Sequence, residues 1–286
     1  MEEFHGLPKD SILDTIVIKS EKVSQRYLLV TLGYPNSKQL DIKAGDHIQV
    51  YPENDPKYVY EIMERLELDI NKDEVQMWEG RLFNIQQQNT IFLYYHFADN
   101  DIPPSTLFVA LSKYLCISNT PTSENLSKWS DYCSDLEEKK KLDQISFNNQ
   151  AFSEWEKKNP NVLDLLNTFP SLKIPVKIFL ASLKKLMART YSVSSIEKKL
   201  IYDGKSMTCV DLLIELAQFE AGPFDDTDFL IIRKGICSSF LEKLSTGSKL
   251  LTCHQATDFF KESNSFTPVF MVAAGSGIAP FRYSRN

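Results

Sequence analysis

Hydrophobic positions along the chain change their spacing twice. From Ser11 to Ile18, and again from Tyr27 to Leu32, β-branched and aliphatic residues follow the half-alternating pattern of strands. Pro35-Asn36-Ser37 marks a turn, and Ala44 to Pro52 reads as a turn feeding a short strand. After Pro52 the period lengthens to that of a helix. Asp55-Pro56 supplies an N-cap and a proline at the first helical position. Val59, Ile62, Met63 and Leu66 then form one apolar stripe. Leu82 to Ile85 and Ile91 to Phe97 look extended, with polar Gln86 to Asn89 between them. Helical spacing returns at Pro103-Pro104. Leu107, Leu111, Tyr114 and Leu115 share a face, as do Leu126, Trp129, Cys133 and Leu136. Glu137 to Lys141 reads as a solvated face. Helices are also expected after Asn159-Pro160, with Val162, Leu165, Leu166 and Phe169 inward, and after Pro175, with Phe179, Leu183, Leu186 and Met187 inward.

Strand spacing resumes near Ala188. Val210, Leu212, Ile214 and Leu216 alternate, and Phe229 to Ile232 is a further apolar strand beyond the loop Ala221 to Asp228. Phe240, Leu241 and Leu244 take helical spacing, with Gly247 as a stop. Val269 to Ala274 is wholly apolar, which suits a buried parallel strand. A mainly helical block thus lies between two strand-rich parts, and no internal repeat or low-complexity tract interrupts them.

Composition narrows the classes. A chain of 286 residues with 43% hydrophobic residues, 18 Phe and 12 Tyr has the material for about two packed domains. A net charge of −6 argues against a nucleic-acid surface. The five cysteines, an odd number without a CxxC pair, read as reduced thiols of a cytoplasmic protein. Cys253-His254 has no further ligand nearby in sequence, so no metal is expected. The N-terminus, Met-Glu-Glu-Phe-His, lacks the apolar core of a signal peptide. No run approaches the ~18 apolar residues of a membrane helix.

Candidate chemistry concentrates in a few stretches. In Arg189-Thr190-Tyr191-Ser192, alternation puts Arg189 and Tyr191 on one side of a strand and Thr190 and Ser192 on the other. Arg189 suits a bidentate grip on a diphosphate. Tyr191 offers a flat face for a planar ring, and Ser192 a hydroxyl at its edge. The same residues also suit an ordinary core strand. Lys234-Gly235-Ile236-Cys237-Ser238-Ser239 stands at a strand-to-helix junction, where free backbone N–H groups and the helix dipole favour a phosphate; a plain small-residue helix start is the alternative. Cys237 has no histidine beside it in sequence and reads as packing rather than as a nucleophile. Gly275-Ser276-Gly277-Ile278-Ala279-Pro280 permits a tight turn close to a dinucleotide, although Pro280 replaces the third glycine of the usual fingerprint. His47 and Arg26 are candidate nucleotide contacts, with surface or turn positions as their ordinary reading.

Taken in order, Gly45-Asp46-His47, Arg189-Thr190-Tyr191-Ser192, Gly235-Ile236-Cys237-Ser238-Ser239 and Gly275 to Arg282 resemble the successive motifs of the diflavin reductases. These are the FAD/NADPH halves of NADPH–haemoprotein reductases, methionine synthase reductase and nitric oxide synthases. The stretch from Glu154 to Pro160, followed by Phe169-Pro170-Ser171, looks most like nitric oxide synthase. The resemblance covers nearly the whole chain. It implies a mixed fold: an antiparallel FAD-binding β-barrel over 1–54 and 188–265, a helical connecting domain inserted over 55–187, and the first strand of a Rossmann-like NADPH domain over 266–286. It implies that Arg189 and the turn of Gly235, Ile236, Cys237 and Ser238 hold the FAD diphosphate. Tyr191 stacks on the flavin, and Ser192, as the catalytic residue, lies at its reactive edge. By the same resemblance His47 sits near FAD, Arg26 and Ser276 near NADPH, and Val210 to Leu212 along the adenine side. FMN is expected only on a partner or missing domain, and the electron acceptor is an FMN domain or haem protein. Thr190 stands where many relatives have an aromatic. The later strands of an NADPH domain are not in the sequence, so an alternative expectation is a non-catalytic flavin-binding or interaction protein left by truncation. On either reading this chain is expected not to turn over NADPH.

Overall fold

A computed structural model of the chain describes residues 3–4, 7–8, 12–35, 41–68, 107–222, 230–257 and 270–282. The expected stretches Leu82–Ile85 and Ile91–Phe97, the start at Pro103-Pro104, the turn residues Asn36-Ser37 and most of the Ala221–Asp228 loop lie outside the described residues. The chain divides into two compact units. One comprises Met1–Pro52, Met187–Ala217 and Lys234–Asn286; the other comprises Glu53–Leu186 and Gln218–Arg233.

Six antiparallel strands close the first unit into a barrel. They are β1 (Ile12–Lys22), β2 (Tyr27–Pro35), β3 (His47–Tyr51), β4 (Arg189–Tyr202), β5 (Lys205–Glu215) and β6 (Lys249–Gln255). Their order is β6-β1-β2-β5-β4-β3, and β3 closes back onto β6. Closure leaves no edge strand in the barrel. β2 and β5 pair without interruption from Tyr27↔Glu215 to Pro35↔Met207. The alternation read from sequence therefore points Leu28, Val30, Leu32 and Tyr34 inward from one side and Val210, Leu212 and Ile214 from the other. Buried hydroxyls satisfy one another within: Tyr34 Oη lies 3.2 Å from Thr252 Oγ1, which lies 2.8 Å from Thr15 Oγ1. Burial pushes the Tyr34 phenol up to about 12.

The second unit is mainly helical: α1 (Pro56–Arg65), α2 (Ser123–Ser130), α3 (Leu136–Phe147), α4 (Asn149–Glu156), α5 (Val162–Thr168) and α6 (Val176–Ser182). Side-chain caps start these helices where the sequence has Asp, Thr or Asn. Asp55 accepts from Lys57 N, Thr122 from Asn125 N, Asp135 from Glu137 N and Glu138 N, and Asn148 from Gln150 N and Ala151 N. Asn161 and Asp164 form a reciprocal capping box on α5. Leu107 to Tyr114 begins as an α-turn and continues as a π-turn. Leu115–Cys116 then pairs with Lys184–Lys185.

Several expectations need correction. The face through Leu126, Trp129, Cys133 and Leu136 is broken, because α2 stops at Ser130 and Asp135 caps a new helix, leaving Leu136 72% exposed. Met187 is 60% exposed rather than inward, because α6 ends at Ser182. The strand Ile231–Lys234 pairs with Gln218–Ala221, and Ile231 and Ile232 face solvent. Residues Gln218–Arg233 of this hairpin group with the helical unit. Asn159 Nδ2 donates to Glu220 O at 3.0 Å, Gly222 N donates to Lys158 O at 2.8 Å, and Arg233 pairs with Asp164. Residues 270–274, expected as a buried strand, carry no strand, and Phe270 and Val272 are 92% and 91% exposed. A parallel strand is held by ladder bonds to its neighbours, and no strand of the described residues pairs there. Gly275–Phe281 forms a 3₁₀ turn in place of a strand-to-helix junction.

The Arg233–Asp164 pair is largely buried, and Asp164 also closes the α5 capping box by accepting from Asn161 N at 2.7 Å. Asp164→Ala is expected to lower stability by about 3–5 kcal/mol in urea unfolding, the range for breaking a buried pair. Lys140→Ala, which breaks an exposed pair with Glu137, should change it by less than about 1 kcal/mol. Equal effects would mean that Asp164 is not holding the hairpin.

Candidate functional site

The Gly235 turn opens α7 (Ile236–Lys243), which plugs the barrel core with Cys237 and Leu241. No side chain caps this helix. Its first-turn N–H groups therefore combine with the helix dipole as a bare anion-binding end. Gly235 is needed for close approach, since a Cβ there would lie 2.9 Å from Ala217 Cβ. Gly235 N donates to Ala217 O at 2.8 Å. Ser238, expected as a ligand contact, closes the turn from behind: its Oγ donates to Gly235 O at 3.2 Å and accepts from Ala217 N at 3.3 Å. Ser239 Oγ, one residue on, is buried without a hydrogen-bond partner.

β4 brings Arg189 and Tyr191 to this helix. Tyr191 packs half-buried against the barrel core, with the Cys237 thiol close enough to affect its phenol. Burial first, and then the neighbouring thiol, raise the Tyr191 phenol far above its ordinary value. Burial pushes Cys237 up to about 11, against the opposing pull of Tyr191 and the Arg189 charge. The thiol stays protonated at neutral pH, which fits packing and not nucleophilic work. Arg189 is exposed, and its Nη1 donates to Met187 O at 2.8 Å. A guanidinium, a half-exposed phenol ring and a bare helix terminus thus come from positions far apart in sequence to one region of the barrel unit.

The other rim residues are set by β3. Its register with β4 pairs His47 with Ser192, Ile48 with Tyr191 and Val50 with Arg189. His47 is half-buried beside Ser192. The strongest contacts in this motif belong to Asp46, 2% exposed, which sequence reasoning quoted but did not single out. Asp46 O accepts from Val193 N at 2.8 Å, and Gly45 N donates to Val193 O at 3.1 Å. Gly45 has φ 85°, the left-handed region that favours glycine. The Asp46 carboxylate accepts from Lys43 N at 2.9 Å and Thr257 N at 2.9 Å, and pairs with His254 Nε2 at 2.8 Å. His254 and Thr257 were missed. The sequence shows a Gly-Asp turn before a strand, but nothing in it links that turn to a strand end two hundred positions on.

Arg26 pairs with Glu215, whose carboxylate also lies near the Gly275 turn. Its Nη2 lies 2.7 Å from Glu215 Oε1, with the side chain 74% exposed. A Cβ on Gly275 would lie 3.0 Å from Tyr27 Oη and 3.9 Å from Glu215 Oε2, and Ser276 is half-buried in that turn. Val210 and Leu212, expected along an adenine, instead point into the barrel core and are fully buried. Their side chains have no face left for a ligand, because the alternation of β5 commits them inward. Among the described residues no group of three His, Cys, Asp or Glu could hold a metal ion, and no helix is long and apolar enough to cross a membrane.

A closed antiparallel barrel, plugged by a helix whose bare N-terminus faces an arginine and a tyrosine, makes a flavin-nucleotide module: the positive donor set suits a diphosphate and the phenol ring suits stacking. Residues 11–240 match the FAD binding domain family, and the chain belongs to it. It is similar to the nitric oxide synthase of Lymnaea stagnalis, at 28% identity over 274 residues, covering 95% of this chain and 22% of that protein. The nitric oxide synthase of Drosophila melanogaster is 29% identical over 247 residues, 85% of this chain and 17% of its own length. That of Anopheles stephensi is 28% identical over 245 residues, 85% and 19% respectively. The chain therefore spans about a fifth of these relatives.

The Asp46 carboxyl is held below the usual carboxylate range. Burial opposes ionisation, but the Thr257 N–H, His254 and the Lys43 N–H outweigh it. A depressed folded-state value stabilises the fold above the unfolded value, near pH 3.9, and that contribution is lost as pH falls through the lower folded value. Asp46→Asn should lower the melting temperature at pH 7 and flatten its decline below about pH 4. Parallel wild-type and Asp46→Asn pH profiles would refute this.

Proposed function

We propose that the chain is the FAD-binding module of an NADPH-dependent oxidoreductase of the nitric oxide synthase type, which takes reducing equivalents from NADPH and hands them to an FMN- or haem-bearing partner. The bare N-terminus of α7 beside Arg189 and Tyr191 carries this reading. Bound FAD supplies the redox chemistry, and the protein supplies binding and orientation. Arg189 and the first-turn N–H groups of Ile236 and Cys237 hold the diphosphate, with Ser239 Oγ as a further polar group in the same turn. Tyr191 gives the stacking face, packed against the barrel core that includes Cys237. Ser192 presents its hydroxyl at the reactive edge, with His47 across the strand pair. Arg26, Ser276 and the Gly275 turn receive the phosphates of the pyridine nucleotide, and Glu215 holds the Arg26 fork beside that turn. Similarity to nitric oxide synthases over most of the chain supports the choice of redox partner class.

Titration of the purified protein with FAD tests the reading, with binding followed by quenching of flavin fluorescence. Wild type is expected to take up FAD. Tyr191→Ala should weaken the affinity by about 1–3 kcal/mol, by analogy with base–aromatic stacking. A folded wild-type protein that takes up no FAD in excess cofactor overturns it.

A further inference from the structure

β4 leaves regular register just beyond Ser192. Its pairing with β5 shifts between Val193 and Ser195, and Ser194 Oγ turns to Asp211 O at 2.9 Å. Bulges of this kind re-aim side chains, and they leave the strand short of ladder bonds. On the other side of β4, the ladder with β3 ends at His47↔Ser192. What continues past that point is the pair of backbone bonds between Val193 and Gly45-Asp46, at 3.1 and 2.8 Å. The position of Ser192 is therefore set by the segment 45–47.

That segment is itself held from a third strand. β6 ends opposite β3, with His254 paired to Ile48 and Gln255 to His47. From β6 and the residues after it, His254 Nε2 and Thr257 N reach the two oxygens of the Asp46 carboxylate, at 2.8 and 2.9 Å. Thr257 Oγ1 donates to Gly45 O at 2.9 Å. One buried carboxylate thus fastens the rim of β6 to the turn that fixes Val193. An isolated aspartate turn before a strand needs only its own Lys43 N–H bond; the two bonds from 254–257 reach beyond that need.

We infer that Asp46, clasped by His254 and Thr257, is the positioning residue for Ser192. This rests on the flavin reading for what Ser192 faces, but the clasp itself does not depend on it. Hydrogen bonding at a reacting centre requires the hydroxyl within about 3 Å of its target. A loosened β4 rim moves that hydroxyl first, because Tyr191 and Arg189 lie further along the β3–β4 ladder, paired with Ile48 and Val50. Removing the clasp should accordingly change the flavin's electronic environment more than its affinity.

The test uses the full chain with His254→Ala, His254→Gln and Thr257→Val, measured with and without FAD. Without FAD, His254→Ala should speed amide exchange at Val193 about ten-fold, the loss of roughly one net hydrogen bond, and His254→Gln should restore it in part. With FAD, His254→Ala should shift the flavin midpoint potential and visible circular dichroism while affinity changes less than about three-fold. If His254→Ala does not fold, Thr257→Val, which removes only the bond to Gly45 O, must show the same effects at smaller size. Unchanged Val193 exchange in the folded variants overturns the clasp. Faster exchange with an unchanged potential overturns the link to Ser192. If wild type takes up no FAD, the flavin reading and the role given to Ser192 fall together, and exchange at Val193 alone decides whether the clasp exists.

Discussion

The barrel closes on β3, which is only five residues long. It pairs with β4 on one side and β6 on the other, so His47 to Val50 have strand partners on both sides. Those pairings set Arg189 against Val50, Tyr191 against Ile48 and Ser192 against His47. A one-residue slip would send every one of these side chains to the opposite face. Asp46 guards against that slip, because its buried carboxylate ties the start of β3 to the far end of β6 while its backbone carbonyl accepts from Val193 N.

This arrangement separates two tasks. Anchoring falls to α7, whose apolar side, Cys237 and Leu241, is part of the barrel core while its N-terminus stays bare. An unsatisfied helix start would ordinarily invite a Ser, Thr, Asp or Asn cap. Gly235 declines that role and gains close approach to Ala217 instead. Ser238 is available to cap but is turned inward to brace the same turn. Orientation falls to the β3–β4 rim. Tyr191 links the two, since it belongs to the rim strand by its backbone and packs against the same core as Cys237.

Chain connectivity makes such a design tolerant. Residues 53–186 enter the chain between β3 and β4, where β-strand partners must be joined by some connection. Loop-closure entropy grows only logarithmically with length, so a folded unit of its own can stand in that connection at little penalty. The hairpin of residues 218–233 is a second excursion, between β5 and α7. It is secured to the helical unit by the Asp164–Arg233 pair rather than by its own exposed isoleucines.

The sequence by itself determined most of the strand and helix periods, the cap at Asp55, and the inward set on β2 and β5, because these depend on neighbours two to four residues apart. It also marked Arg189, Tyr191 and the Gly235 turn, since residue types suited to a diphosphate and a flat ring are legible without a fold. It could not show that Val210 and Leu212 are spent in the core, that Ser238 faces backward, or that 270–274 forms no strand. Each of those outcomes depends on what lies across a sheet or behind a turn. Nor could it bring His254 and Thr257 to Asp46, a meeting made by barrel closure alone. Local chemistry is written along the chain; only the tertiary structure decided which distant backbone and side chain would complete it, because hydrogen bonds and burial act across space without regard to separation in sequence.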